Sequence, residues 1–146
     1  MLNFNSYLAG LFEGDGHISM GSTHNPRWCL TTHKKNLIWL EKIKEKLNNH
    51  GFIRHKKKEN ALVLTISNKQ GLFLIIHLLN GNLKTPKIQN LYQMIIWYNN
   101  KFSTNIPLLP INYDLNNAWF SGFIEADGHF FIRCSLKLLE FAFVLW

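Results

Sequence analysis

The sequence predicts an α+β chain built from one complete repeat unit and the start of a second. Two observations carry this reading. Segments with apolar residues at helical spacing alternate with segments of period two, in the order helix, two strands, helix, two strands, helices. A stretch of the chain then occurs twice: Asn5 to His17 reads N-S-Y-L-A-G-L-F-E-G-D-G-H, and Asn117 to His129 reads N-A-W-F-S-G-F-I-E-A-D-G-H. Each residue of the second copy stands 112 positions after its counterpart, as Asp127 does after Asp15, and six positions are identical. The chain has only three aspartates, so two of them in matched slots mark a duplication.

The elements come in order. Leu8, Leu11 and Phe12 fall at helical spacing, which predicts a helix over 7–16. Gly16 is expected to end it in the left-handed conformation. His17 to Gly21 alternates and reads as a strand. Ser22 to Pro26 is a turn cluster, and Arg27 to His33 returns as the partner strand. Leu37, Leu40, Ile43, Lys44 and Leu47 set the register of an amphipathic helix over Asn36 to Asn49, with Gly51 after its end. Phe52 to Lys56 is a third strand, Lys57 to Asn60 a turn, and Ala61 to Ser67 a fourth strand with Leu62, Leu64 and Ile66 on one side. A helix over Lys69 to Leu79 closes at Asn80-Gly81. Thr85-Pro86 opens the next, Thr as cap and Pro in the first turn. Ile88, Leu91, Tyr92, Ile95 and Ile96 form its apolar stripe. The expected organisation is a first repeat over 1–101, a linker over 102–115 that carries Pro107 and Pro110, and a truncated second repeat over 116–146. That second repeat holds the motif helix, one strand over His129 to Cys134 and a short apolar tail.

A hydrophobic content of 47% excludes a disordered chain. The formal net charge of +7 favours a polyanionic partner, with nucleic acid first. Cys29 and Cys134 lack ligand spacing and read as reduced structural thiols. The longest apolar runs are too short to span a bilayer, so no membrane partner is expected. The N-terminus carries neither a signal peptide nor an Arg-rich presequence, which places the protein in the compartment that makes it. The chain has 17 Asn and 13 Lys but only 3 Arg, a bias that A/T-rich codons produce. An organelle genome fits, mitochondrial with chloroplast as the alternative; an A/T-rich bacterial or phage genome would give the same bias.

The doubled motif carries the chemistry. Gly10 and Gly14 sit one turn apart, as do Gly122 and Ala126, with Ala9 and Ser121 beside them. Small side chains let two helix backbones approach closely, whereas glycine within a helix costs about 1 kcal/mol relative to alanine. Close pairing of the two motif helices offsets that cost; relief of a clash with each helix's own sheet is the alternative. If the helices pair in parallel, Asp15 and Asp127 converge at one end. Like charges there need a cation, and carboxylates with free helix-end carbonyls are what Mg²⁺ prefers. A solvated Asp-Gly turn is the plainer reading of either copy alone.

Leu8-Ala9-Gly10-Leu11-Phe12-Glu13-Gly14-Asp15-Gly16 resembles the nine-residue signature of the LAGLIDADG homing endonucleases, and Phe120 to Gly128 is a second match. Asn80 to Ile88 and Leu109 to Trp119 are similar to segments of the organellar members. The resemblance covers residues 4 to 133. It implies the αββαββα saddle fold, here one full repeat plus the motif helix and first strand of a second. It also implies a site-specific, intron-encoded, double-strand DNA endonuclease that uses Mg²⁺ or another divalent cation. Asp15 and Asp127 would be catalytic metal ligands, with the carbonyls of Gly14 and Ala126 as further ligands. Lys87 is the candidate catalytic cation near the scissile phosphates, with a plain helix-start lysine as its alternative.

A two-stranded ribbon fits the major groove. The expected readers on the outer sheet face are Ser19, Arg27, Thr31, Arg54, Lys56 and Thr65, with Lys57 and Lys58 nearer phosphate; a solvated lysine turn is the alternative for residues 56–58. Two other functions stay open: an RNA-splicing maturase that binds intron RNA, and a degenerate non-catalytic remnant. A homodimer or a longer fused product would supply a second saddle.

Overall fold

The computed structural model describes the backbone of residues 3–134 and 139–145 and the side chains of residues 3–126. Helix α1 (Phe4–Asp15) begins at Asn3, whose side chain accepts the Asn5 amide, and it is buried from Leu8 to Glu13. A helix covered on all sides belongs at the centre of its fold rather than at a surface. Strand β1 (Gly16–Ser19) continues from it without a loop. Gly16 is extended, at φ −93°, and not left-handed as the sequence suggested. Glycine is needed there for room: a Cβ would lie 2.3 Å from the Phe12 ring.

Strands β2 (Arg27–His33), β3 (Phe52–Lys56) and β4 (Ala61–Ile66) complete an antiparallel sheet in the order β1-β2-β4-β3. Between β2 and β3 lies helix α2 (Leu37–Lys46), shorter at both ends than its apolar pattern suggested. Register fixes the two faces. His17, Cys29, Thr65 and Phe52 form one row across the sheet, and Gly16, Leu30, Leu64 and Ile53 form the next. Because side chains alternate, the second set and its neighbours Ile18, Trp28, Leu62 and Ile66 face the helices. The first set faces outward.

The core lies between that inner face and helices α1, α3 (Lys69–Leu79) and α4 (Ile88–Phe102). Phe12 stacks on Trp28 at its centre, ring centroids 6.1 Å apart. The Thr85-Pro86 helix start needs correcting. Residues 85–87 form a turn whose carbonyls accept the amides of Ile88, Gln89 and Asn90, so α4 itself begins at Ile88; the Thr85 hydroxyl accepts the Lys87 amide at 3.4 Å and also donates to Glu13.

Residues 103–118 run back along the helices, held by specific bonds. Asn80 donates to the Pro107 carbonyl and accepts from the Leu109 amide. Asn99 contacts Thr104 and Ile106, and Tyr92 donates to the Leu109 carbonyl. Lys84 Nζ donates to the carbonyls of Asn112 (2.6 Å) and Asp114. The chain is thereby delivered to α5 (Trp119–Asp127). Strand β5 (Gly128–Cys134) comes next and pairs with β6 (Leu139–Leu145). The apolar tail therefore holds a second strand where the sequence suggested none; Leu139 to Leu145 is rich in the aromatic and branched residues that favour strands. Among the described residues no helix is long and apolar enough to cross a membrane.

Candidate functional site

Helix α5 packs along α1, and the contacts fix a parallel pair related by a pseudo-twofold axis. At the starts of the helices the Ala118 amide donates to Ser6 Oγ at 3.2 Å. At the crossing, a Cβ on Gly10 would lie 2.0 Å from the Trp119 carbonyl oxygen, and one on Gly122 would lie 2.1 Å from that of Tyr7. Trp119 is the counterpart of Tyr7 at the 112-residue offset, so the two contacts are mirror copies. At the far ends Asp15, Glu125 and Ala126 line one concavity of about 180 Å³ with Thr32, Asn36 and Trp39. Both motif helices thus finish at the same end of the molecule.

Of the small residues expected at this seam, Gly10 and Gly122 make the close approach, Ala9 is fully buried, and Gly14 is half-buried in the last turn of α1. Ser121 departs from the expectation. It is exposed and lines a polar hollow with Asn82 and Asn117. One residue along a helix is a rotation of about 100°, which turns Ser121 off the seam.

Two acids that the sequence marked only as repeat identities tie the pair together. Glu13 is 5% exposed and saturated. Its carboxylate accepts the amides of Lys84 (2.9 Å) and Thr85 (2.6 Å), the Thr85 hydroxyl (2.7 Å) and Trp119 Nε1. The matched partnership is Tyr7 Oη donating to Glu125. Burial first, and then the bond to the Glu125 carboxylate, push the Tyr7 phenol well above its usual range, so it stays a donor.

By fixing residues 84–85, Glu13 fixes the approach of Lys87. Lys87 Nζ donates to the Gly16 carbonyl at 2.7 Å and the Phe12 carbonyl at 3.3 Å. A cation there complements the negative end of the α1 dipole. The structure thus brings Lys87 to the end of the helix that carries Asp15. Asp127 closes α5, and its side chain lies outside the described residues. Asp15 and the helix-end carbonyls offer hard oxygen donors suited to Mg²⁺. Among the described residues no group of three or more His, Cys, Asp or Glu forms a metal cluster.

The outer sheet face starts where these helices end. It holds a concavity of about 390 Å³ lined by His17, Ser19, Arg27, Cys29, Phe52, Arg54, Thr65 and Ser67. Ser19, Arg27 and Arg54 are exposed on it. Thr31 and Lys56 share the face and are half-buried; Lys56 pairs with Glu59 at 3.6 Å. Lys57 and Lys58 are exposed in the turn after β3. Thr65 departs from the expectation: it is 6% exposed and lies 3.7 Å from Cys29 Sγ. On the inner strand β4 taller neighbours cover it, so it forms the floor of the groove. Sequence reasoning missed Phe52, which stands 55% exposed in this groove.

The comparisons agree with this architecture. The family model described as LAGLIDADG endonuclease matches residues 8–98. A 37.2 kDa cox1 intron-2 protein of Schizosaccharomyces pombe is 33% identical over 134 residues, covering 89% of this chain and 40% of that protein. The intron-encoded RNA maturase bI4 of Saccharomyces cerevisiae is 30% identical over 128 residues, covering 87% of this chain and 19% of the relative. The intron-encoded DNA endonuclease aI3 of the same yeast is 26% identical and is covered over 35% of its length. This chain therefore spans less than half of these relatives. Among solved structures, the LAGLIDADG meganuclease I-AabMI bound to uncleaved DNA superposes with a TM-score of 0.71 at 20% identity, covering 97% of this chain and 66% of that one. The I-LtrWI homing endonuclease bound to target DNA gives 0.68 at 19% identity, covering 97% and 65%. These likenesses share the fold.

Proposed function

The chain belongs to the LAGLIDADG endonuclease family, and from that premise we propose that it acts as a site-specific, intron-encoded homing endonuclease on double-stranded DNA. The observation that carries this is the parallel seating of α5 on α1, which brings the ends of both motif helices together beside Lys87. Asp15 and Asp127 would hold Mg²⁺ or another divalent cation, with the Gly14 and Ala126 carbonyls as further donors. Such a cation, when bound, supplies an activated water and a charge on the leaving oxygen. Lys87, held by the Phe12 and Gly16 carbonyls, presents a fixed positive charge to the scissile phosphate. Arg27, Arg54 and Lys56 on the outer face, with Lys57 and Lys58 beyond it, bind and read the duplex. Residues 1–101 serve as one saddle, 102–115 as the tether and 116–146 as the opening of the second unit. The intron-encoded relatives support a mitochondrial setting.

The test is cleavage of a plasmid carrying the intronless allele of the host gene, by this chain and by a form that supplies a second saddle. Cleavage should require the divalent cation, and Asp15→Asn should lower it on the order of 1,000-fold, the scale of a lost metal contribution. Equal cutting by wild type and Asp15→Asn would end the nuclease reading. A second reading, assistance to intron RNA folding, draws support from the likeness to maturase bI4. It predicts intron RNA folding that is unchanged in the Asp15→Asn, Asp127→Asn double variant.

A further inference from the structure

We infer that Phe52 is a specificity-determining residue that reads a thymine methyl group in the major groove. The inference rests on the proposed action on duplex DNA and names one contact within it. Single exposed apolar residues are ordinary on protein surfaces; Phe52 differs by its setting. It stands on the outer face of β3 in one row with Thr65, Cys29 and His17. Thr65 and Cys29 are short, buried and in contact with each other, so the ring rises above the floor of the groove at 55% exposure. Among the described residues no aromatic ring stacks on it and no cation lies over it.

The rest of the groove is polar. Arg54 lies two residues along the same strand face, which puts the two side chains about 7 Å apart. That distance corresponds to roughly two base-pair steps. Polar readers can take every hydrogen-bonding base edge in the major groove. The thymine methyl is the apolar feature there, and it takes an apolar partner. His17 directly succeeds the Asp15-Gly16 end of α1, and three strand spacings of about 4.8 Å separate it from Phe52 across the row. The assigned thymine therefore lies about 14 Å from His17 across the sheet, roughly four base-pair steps from that end of α1.

The test selects duplexes from a randomised pool with the wild-type chain, Phe52→Ala and Phe52→Leu. The wild type and Phe52→Leu should enrich thymine at one position where Phe52→Ala enriches none, while preferences elsewhere survive in all three. Replacing that thymine by deoxyuridine removes only the methyl group. It should weaken wild-type binding about four-fold, the transfer value of one buried carbon, and leave Phe52→Ala unchanged. Uniform weakening of all duplexes by Phe52→Ala, or indifference of the wild type to deoxyuridine, would overturn the inference while leaving the DNA-directed function intact. If the wild type enriches no sequence, that function fails and the inference falls with it.

Discussion

Glu13 and Glu125 occupy the same slot in the two copies of the motif, yet their surroundings differ. Glu13 is buried and accepts from two backbone amides, a hydroxyl and an indole. Glu125 is exposed and is held by Tyr7. Across the helix pair itself the copies are equivalent: Tyr7–Glu125 mirrors Trp119–Glu13, and Gly10 mirrors Gly122. The difference arises outside the motif. The Lys84-Thr85 turn closes over the first acid, and Lys84 also carries the tether, its ammonium 5.7 Å from the centre of the Trp119 ring. The motif therefore supplies a symmetric seam, and the turn before α4 converts one of its acids into a structural anchor.

Breaking the symmetric part should cost the most. Gly10→Ala and Gly122→Ala each drive a methyl group into a backbone carbonyl, where no side chain can yield. Against an intrinsic helix gain of about 1 kcal/mol, each should destabilise by roughly 3 kcal/mol or more through overpacking. Urea denaturation followed by circular dichroism checks this. Equal losses at the two positions sustain the pseudo-symmetry, whereas a loss at only one would refute it. Next comes the asymmetric part. Glu13→Gln should cost about 2–3 kcal/mol, the scale of charge-assisted bonds to buried donors, and Glu125→Gln less than about 1 kcal/mol. Amide hydrogen exchange at Lys84 and Thr85 should accelerate only in the Glu13 variant. Comparable costs at both sites would mean that the buried contacts of Glu13 add nothing to those of its counterpart.

The sequence carried the seam more clearly than the anchor, for physical reasons. A glycine pair at matched positions signals close approach because both copies tolerate the same helix cost at the same place. Strands such as His17 to Gly21 and Ala61 to Ser67 were legible because alternation fixes them within a few residues. Alternation names a face and leaves open how tall the neighbours are, so Thr65 looked like a reader and proved to be buried, while Phe52 escaped notice. Two of the four groups that Glu13 accepts from are backbone amides 71 and 72 residues away, and backbone groups carry no sequence signature. Its identity with Glu125 was the available signal. Gly16 misled for a related reason. Its lack of a side chain serves the Phe12 ring rather than a positive φ, and the two uses look alike in one dimension.

The smallest effect belongs to the junction of the helix ends with the sheet. Burial first, then the charges of Lys56 and Lys87, hold the His17 imidazole below its ordinary range, so it is neutral at pH 7. A duplex laid on the outer face would bring phosphates near it and favour the protonated ring. Binding would then take up a proton, and linkage requires affinity to rise as pH falls through the histidine range. The charge is solvent-exposed, so the gain between pH 7.5 and 5.5 should not exceed about five-fold, the upper scale of exposed ion pairs. Fluorescence anisotropy with a labelled duplex at constant ionic strength measures it. His17→Gln should flatten the profile while changing affinity little at pH 7.5. A profile that keeps its slope in His17→Gln would place the proton uptake elsewhere and detach this end of the sheet from the DNA-binding face.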